Sequence, residues 1–233
     1  MKSLLIIDCG HSRTKFHSYG SLTTSHICVQ NTPFKWPKEL ELTDYTECLM
    51  MGTNEPMSIR WLSHIKQKNG PVPMVLGKDC RVPIIKNCGV GTGNDRMVHA
   101  LGAKAMCEKE PVIVISAGTA LVIDIVNEKG ELEGGLIGMG WGTYQKNMLA
   151  INSNLKTSQQ EVSYPGRETD EAVALGWQYG VKALVEKLGS PYPKIKILIT
   201  GGDGAMMSTW WPGGQYVENL GLDELAKAFG YKS

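Results

Sequence analysis

The sequence predicts an α/β protein built from two similar halves, and three observations carry that prediction. Short buried-strand runs, Leu4 to Ile7 and Val112 to Ile115, each end in a tight polar turn and continue into a second apolar segment. Helical patterns follow these units, at Met97 to Cys107 and again at Thr169 to Leu188. A chain of 233 residues, 42% apolar and with 27 glycines, suits one large or two smaller globular domains with many tight turns, which excludes disorder and collagen.

In the first half, Leu4-Leu5-Ile6-Ile7 reads as a buried strand ending at Asp8. Asp8-Cys9-Gly10-His11-Ser12-Arg13 supplies turn residues before a second strand from Thr14 to Tyr19, and a third strand spans Thr23 to Val29. A helix beginning at or near Asp95 places Met97, Leu101 and Ala105 on one face. Pro111 marks the boundary, so the expected domains are residues 1–108 and 109–233.

The second half repeats the opening. Val112 to Ile115 runs into Ser116-Ala117-Gly118-Thr119 and out through Ala120 to Val126; Leu132 to Ile137 returns after the hairpin residues Asn127-Glu128-Lys129-Gly130. Thr169 to Leu188 is a long helix closed by Gly189, with Ala172, Val173, Leu175, Gly176, Tyr179, Val181, Leu184 and Leu188 as its apolar set. Ile195 to Thr200 is a buried strand that runs into Gly201-Gly202-Asp203-Gly204, and a last helix covers Leu222 to Phe229.

Composition narrows the partners. Lys plus Arg at 24 against Asp plus Glu at 23 leaves a formal charge of +1, so the chain offers no bulk attraction for nucleic acid or anionic lipid. No apolar run approaches the roughly 20 residues of a membrane span. The stretch after Met1-Lys2 stops at Asp8 with no cleavage pattern behind it, which argues against a signal peptide and for the cytoplasm. Cys9, Cys28, Cys48, Cys80, Cys88 and Cys107 form no close pair and have no histidine at zinc-ligand spacing, so free thiols are expected.

Asp8-Cys9-Gly10-His11-Ser12 holds the ingredients of a phosphate turn: a glycine that lets backbone amides approach an anion, a hydroxyl donor, and a carboxylate for a metal ion or its waters, with Lys15 nearby. Such a turn is by itself an ordinary hairpin. The repeat adds the weight, because Gly118-Thr119 follows an equivalent strand and the two units become jaws around one polyphosphate, the plan of the actin-like ATPases. Gly93-Asn94-Asp95-Arg96 stands at a helix start, where Asp is a favoured cap. The same pair also suits phosphoryl transfer to an alcohol, Asp95 accepting the hydroxyl proton and Arg96 binding an anionic group.

Two other glycine concentrations, Gly134-Gly135-Leu136-Ile137-Gly138-Met139-Gly140 and Thr200-Gly201-Gly202-Asp203-Gly204, follow strands; they read as turns or as close backbone approach to a base or sugar. The histidines show no triad pattern; His99 is a helix side chain and His11 lies in the phosphate turn. Trp210-Trp211 reads as a packed loop or a subunit contact.

Taken in order, these motifs resemble the type III pantothenate kinases. Leu4 to Lys15 is similar to that family's Asp-x-Gly-Asn-Thr-x-x-Lys, Gly93 to Arg96 to its Gly-x-Asp-Arg, and Ile115 to Asp124 to its Asp-x-Gly-Thr-Ala-x-x-x-Asp. The Gly134 to Gly140 loop, Gly166-Arg167-Glu168-Thr169, the Thr200 turn and Leu220-Gly221-Leu222 fall in the family's order. The resemblance implies a duplicated ribonuclease H-like (actin-like ATPase) fold with the active site in the cleft between two similar domains. It further implies a homodimer that phosphorylates pantothenate with ATP, Mg²⁺ and a monovalent cation, K⁺ or NH₄⁺, at the start of coenzyme A synthesis.

Carried over by resemblance, Asp8, Gly10, His11, Ser12 and Lys15 hold phosphate, Asp8 also holding Mg²⁺ through waters. Gly118 and Thr119 form the second phosphate turn, and Gly201 with Gly202 lies near adenosine. Asp95 is the base, and Gly93, Arg96 and Thr169 bind pantothenate. His11 stands where the family has Asn, Ser12 where it has Thr, and Met139 where it has Pro. The segment before Gly93 lacks the family's tyrosine and proline. Ser116 occupies the position of the family's cation-site aspartate, which weakens a cation site there. Two further readings stay open: a kinase of the same fold acting on another small hydroxylated metabolite, and a non-catalytic or regulatory paralogue.

Overall fold

A computed structural model of the chain describes residues 2–20, 25–155, 162 and 164–231. The expected beginning of the third strand at Thr23 lies outside them. Two compact units emerge. The first takes residues 1–85, 89–105 and 221–233, and the second takes 86–88 and 106–220. Each unit carries one five-stranded sheet.

In the first unit, β1 (Leu4–Cys9), β2 (Arg13–Tyr19) and β3 (Ser25–Gln30) form an antiparallel meander. β4 (Glu47–Gly52) then pairs parallel with β1 after a crossover, and β5 (Pro73–Val75) pairs parallel with β4, giving the order β3-β2-β1-β4-β5. Alternation splits the sheet into two packed faces. Leu5, Ile7, Cys9 and Phe16 pack with Met57, Trp61 and Ile65, the i, i+4, i+8 stripe of α1 (Glu55–Gln67). On the opposite face, Leu4, Ile6, Tyr19 and Leu49 pack with Val98 of α2 (Asn94–Met106).

The second unit repeats the plan. β6 (Val112–Ala117), β7 (Ala120–Val126) and β8 (Leu132–Met139) form the meander, followed by α3 (Trp141–Ile151) and α4 (Thr169–Gly189). β9 (Lys196–Thr200) pairs parallel with β6; after α5 (Gly204–Ser208), β10 (Gln215–Tyr216) pairs parallel with β9. The order β10-β9-β6-β7-β8 is therefore the first sheet over again, strand for strand. Ile113, Ile115, Leu121, Ile123 and Ile199 pack with Trp141, Trp177, Val181, Val185 and Met207. Trp210 joins this core, a packed side chain as one of its two sequence readings had it.

Three differences from the expectations have physical causes. The last helix, α6 (Leu222–Ala228), belongs by its contacts to the first unit although it follows the second half in sequence. Leu222, Leu225 and Ala226 fill the Leu4 and Ile6 face, and the Tyr19 hydroxyl donates to Asp223 Oδ1 at 3.0 Å. In α2 the buried positions are Val98, Ala100, Gly102 and Ala103, while Ala105 is exposed. That face lies close against the chain at Gly221, φ +85°, where a Cβ on residue 221 would overlap the Val98 carbonyl. In α4 the buried set is centred on Val173, Trp177, Val181 and Val185, leaving Tyr179 and Leu184 exposed.

No helix among the described residues is long and apolar enough to cross a membrane. The six cysteines are unbridged. Burial pushes the Cys9 thiol up to about 11 and the Cys48 thiol up to about 12, so both are inert packing residues.

Candidate active site

The chemistry-bearing residues of the first unit collect at the ends of β1, β2 and α2. Asp8 lies on β1 directly opposite Lys15 on β2. Burial raises the Asp8 carboxyl to about 6; Lys15 opposes that rise and the neighbouring Asp95 carboxylate adds to it. α2 opens at Asn94, so Asp95 sits inside its first turn rather than at its cap. Asn94 ties this start to the sheet by donating Nδ2 to the Leu76 carbonyl at 2.7 Å. Asp95 Oδ1 is buried and has no hydrogen-bond partner among the described residues. A Cβ on Gly93 would run into that same oxygen, so the Gly93 position accommodates only glycine while Asp95 points as it does. Arg96 is half-buried beside it on the helix.

Between β1 and β2 the chain turns at Gly10, His11 and Ser12. The Gly10 N–H donates to the Asp8 carbonyl at 3.2 Å, and a Cβ on Gly10 would come within 2.9 Å of the Arg13 carbonyl. His11 and Ser12 are exposed. The structure thus brings Asp8, Lys15 and Asp95 together, with the turn following directly from Asp8.

The second unit builds the matching turn at Gly118 and Thr119, where the Gly118 N–H donates to the Ala120 carbonyl at 3.0 Å. Thr119 O accepts the Gly140 N–H at 3.1 Å and the Thr143 hydroxyl at 2.7 Å. Gly140 passes so near the Gly118 carbonyl that a Cβ there would overlap it, which gives the last glycine of the Gly134 to Gly140 loop a steric cause. Gly201, at φ +94°, abuts the Ala117 carbonyl in the same way, so packing alone accounts for it, whereas Gly202 is exposed. Ser116 is half-buried on β6, opposite Val122 and Thr200; buried Asp124 lies on the same sheet face, two residues further along β7. Thr169 opens α4 on the surface, behind a capping box of Glu168 and Glu171.

Sequence reasoning passed over Asn31 and Asn54. Asn31 follows β3 and Asn54 caps α1, and both donate Nδ2 to the carbonyls of Gly10 and His11. The only signal in the sequence was an asparagine just past a strand, which is also the commonest turn chemistry.

Two meanders, each continued by parallel strands and each with a polar turn after its first strand, define the class: this is the actin-like ATPase fold. The MreB5 protein of Spiroplasma citri shares it with a TM-score of 0.54 at 10% identity, over 98% of this chain and 97% of that one. A Campylobacter jejuni protein described as a Baf family transcriptional activator superposes with a TM-score of 0.70 at 21% identity, over 97% of this chain and 98% of its own. Within that fold, the family model for type III pantothenate kinase matches residues 4–190, and the chain belongs to that family, an enzyme family of pantothenate kinases. The type III pantothenate kinase of Persephonella marina is 31% identical over 175 residues, 70% of this chain and 67% of the relative.

Proposed function

We propose that the chain transfers the γ-phosphoryl group of ATP to the terminal hydroxyl of pantothenate, the entry to coenzyme A synthesis. One observation carries this reading beyond family membership: the half-buried Asp8, its carboxyl lifted to about 6 beside Asp95, whose Oδ1 has no hydrogen-bond partner among the described residues. Asp95 thus offers an acceptor that the described residues leave unfilled.

Asp95 accepts the proton of the substrate hydroxyl as its oxygen bonds to the γ-phosphorus and the bond to the bridging oxygen of ADP breaks. Arg96 faces the anionic end of the substrate, with Thr169 as a further contact. Lys15 and the Gly10 to Ser12 turn bind the phosphates, as do Gly118 and Thr119, and Gly201 and Gly202 lie near adenosine. Asp8 fits Mg²⁺, being a hard oxygen ligand next to a second carboxylate; one protein carboxylate plus waters and phosphate oxygens is a usual magnesium shell. Mg²⁺ neutralises charge on the β- and γ-phosphate oxygens when bound. Among the described residues, no group of three or more His, Cys, Asp or Glu side chains could hold a metal without the nucleotide's help. In this reading a monovalent cation would bind at the Ser116 position, whose own side chain offers a hydroxyl where the resemblance has a carboxylate.

The protein works as a cytoplasmic homodimer in this reading. Its support is the exposed apolar side chains of the second unit, Leu149 and Ile151 on α3 and Tyr179 and Leu184 on α4. Sedimentation of wild type and Leu184→Glu tests the dimer. The reaction is tested by following ATP consumption over a panel of small alcohols that includes pantothenate. Consumption with pantothenate alone is expected; consumption with a different acceptor, or nucleotide binding without turnover, replaces this reading with one of the two alternatives.

A further inference from the structure

The two asparagines that hold the first turn do so with matched stoichiometry. Asn31 Nδ2 donates to the Gly10 and His11 carbonyls at 2.9 and 3.0 Å, and Asn54 Nδ2 donates to the same two carbonyls at 3.2 and 3.2 Å. Two amide groups offer four N–H bonds, and two carbonyls offer four lone pairs.

The direction of each amide is set from behind. Trp61 Nε1, a donor only, gives its hydrogen to Thr14 Oγ1 at 3.0 Å, and the Thr14 hydroxyl donates onward to Asn31 Oδ1 at 2.8 Å, which leaves the NH₂ to face the two acceptor-only carbonyls. That commits the Asn31 NH₂ to the turn. Asn54 Oδ1 accepts the Met57 N–H at 3.1 Å as the cap of α1, which commits its NH₂ in the same way. Trp61 and Thr14 are fully buried and Asn31 nearly so.

Both peptides after Gly10 and His11 are trans, and in a trans peptide the carbonyl and the next N–H point in opposite directions. Pinning the two carbonyls therefore aims the N–H groups of His11 and Ser12 away from the asparagines. The repeat lacks this device. Asn31 and Gly140 are equivalent, donating backbone N–H to Ser12 O at 3.0 Å and to Thr119 O at 3.1 Å. Asn54 and Asp203 are equivalent too, donating backbone N–H to Cys9 O at 3.3 Å and to Ala117 O at 3.1 Å. Neither Gly140 nor Asp203 carries a side-chain amide.

We infer that Asn31 and Asn54 are positioning residues that hold the first turn's N–H groups in place for a polyphosphate. The inference rests on the reading of this turn as an ATP site. Asn54→Ser keeps an oxygen to cap α1 and removes the NH₂; Asn31→Asp keeps the acceptor for Thr14 and sets an oxygen against the two carbonyls. Binding of Mg²⁺ with AMP-PNP is measured by calorimetry in wild type and both variants, alongside thermal unfolding and amide exchange of residues 9–13.

The expected result is a Kd raised by about tenfold or more in each variant, given that misplacement by an ångström can cost about a hundredfold. Faster exchange at residues 9–13 and a retained Tm for Asn54→Ser should accompany it. A Kd within about twofold of wild type in Asn54→Ser, or a fall in Tm with no change in Kd, overturns the inference; Asn54→Ser alone decides if Asn31→Asp does not fold. A wild type that binds AMP-PNP but phosphorylates no pantothenate sinks the proposed reaction and leaves the clamp to be judged by the same Kd ratio. A wild type that binds no AMP-PNP sinks both.

Discussion

Lys15 stands directly opposite Asp8 across the β1–β2 pair, one register step before the turn that leads from one strand to the other. Burial favours the neutral form of the Asp8 acid and the lysine favours the charged form; burial is the larger effect, since the carboxyl ends at about 6 rather than below its usual value. Asp95 adds to the rise from the start of α2. Two acids and one cation, each half-buried, thus lie close enough to shift one another's charge balance.

Asp95→Asn separates a chemical role from a structural one. Asn nearly preserves shape, so a purely structural acid predicts almost unchanged activity, whereas an orienting base predicts a kcat loss of about 10² to 10⁴ with nucleotide binding retained. Steady-state rates and nucleotide calorimetry decide it. A variant within about threefold of wild type in kcat removes Asp95 from the chemistry.

Ser116→Asp restores a hard anion at the place where the family carries one. Affinity for Mg²⁺-nucleotide should stay or rise, and the rate should become more dependent on K⁺ or NH₄⁺. An unchanged nucleotide affinity and cation response, by calorimetry and steady-state rates, would count against a lost cation site at Ser116.

His17 gives a pH test on a residue with no assigned role in the reaction. It is buried on β2, its Nδ1 lies 2.6 Å from Nδ1 of His26 on β3, and burial, with His26 and Lys15 adding, lowers it to about 3. Between that value and the unfolded value near 6.5, the unfolded chain takes a proton that the folded chain refuses, so His17 costs stability as pH falls through this window. His17→Gln should therefore gain on wild type as urea unfolding is moved from pH 7 to pH 4.5, by at most about 1.4 kcal/mol per pH unit. Parallel stability curves for the two proteins would refute the assignment.

Two glycines only a turn of chain apart should behave oppositely. Gly140→Ala drives a Cβ into the Gly118 carbonyl and should open the second turn, with a large loss of Tm. Gly142→Ala meets nothing within 4 Å on the exposed side of α3 and should gain about 0.5–1 kcal/mol from helix propensity. Similar Tm changes in the two variants would mean that the close approach at Gly140 is absent in solution.

What the sequence made legible follows from range. β1, β6 and β7 carry branched aliphatic runs beside glycine turns, and the duplication appears because each turn repeats within a few residues of its strand. β4 escaped notice because Cys48-Leu49-Met50-Met51 has no branched β-carbon to distinguish a buried strand from a helix. α1 escaped because Met57, Trp61 and Ile65 are diluted by polar neighbours. Asp8, Lys15 and Asp95 could be singled out one at a time, but not the relay from Trp61 through Thr14 to Asn31, which joins residues up to 47 positions apart.

The return of α6 to the first unit bears on how the chain is made. The first ninety or so residues are made long before Leu222, yet the face of β1 bearing Leu4 and Ile6, already packed by Val98 of α2, gains the rest of its cover only when Leu222, Leu225 and Ala226 arrive. Tyr19 waits 204 positions for Asp223. The half made first therefore cannot complete its core before the segment that follows the second unit is made. A premature stop at the end of the second unit would spare the later half of the molecule and take from the earlier one the part of its cover that α6 supplies.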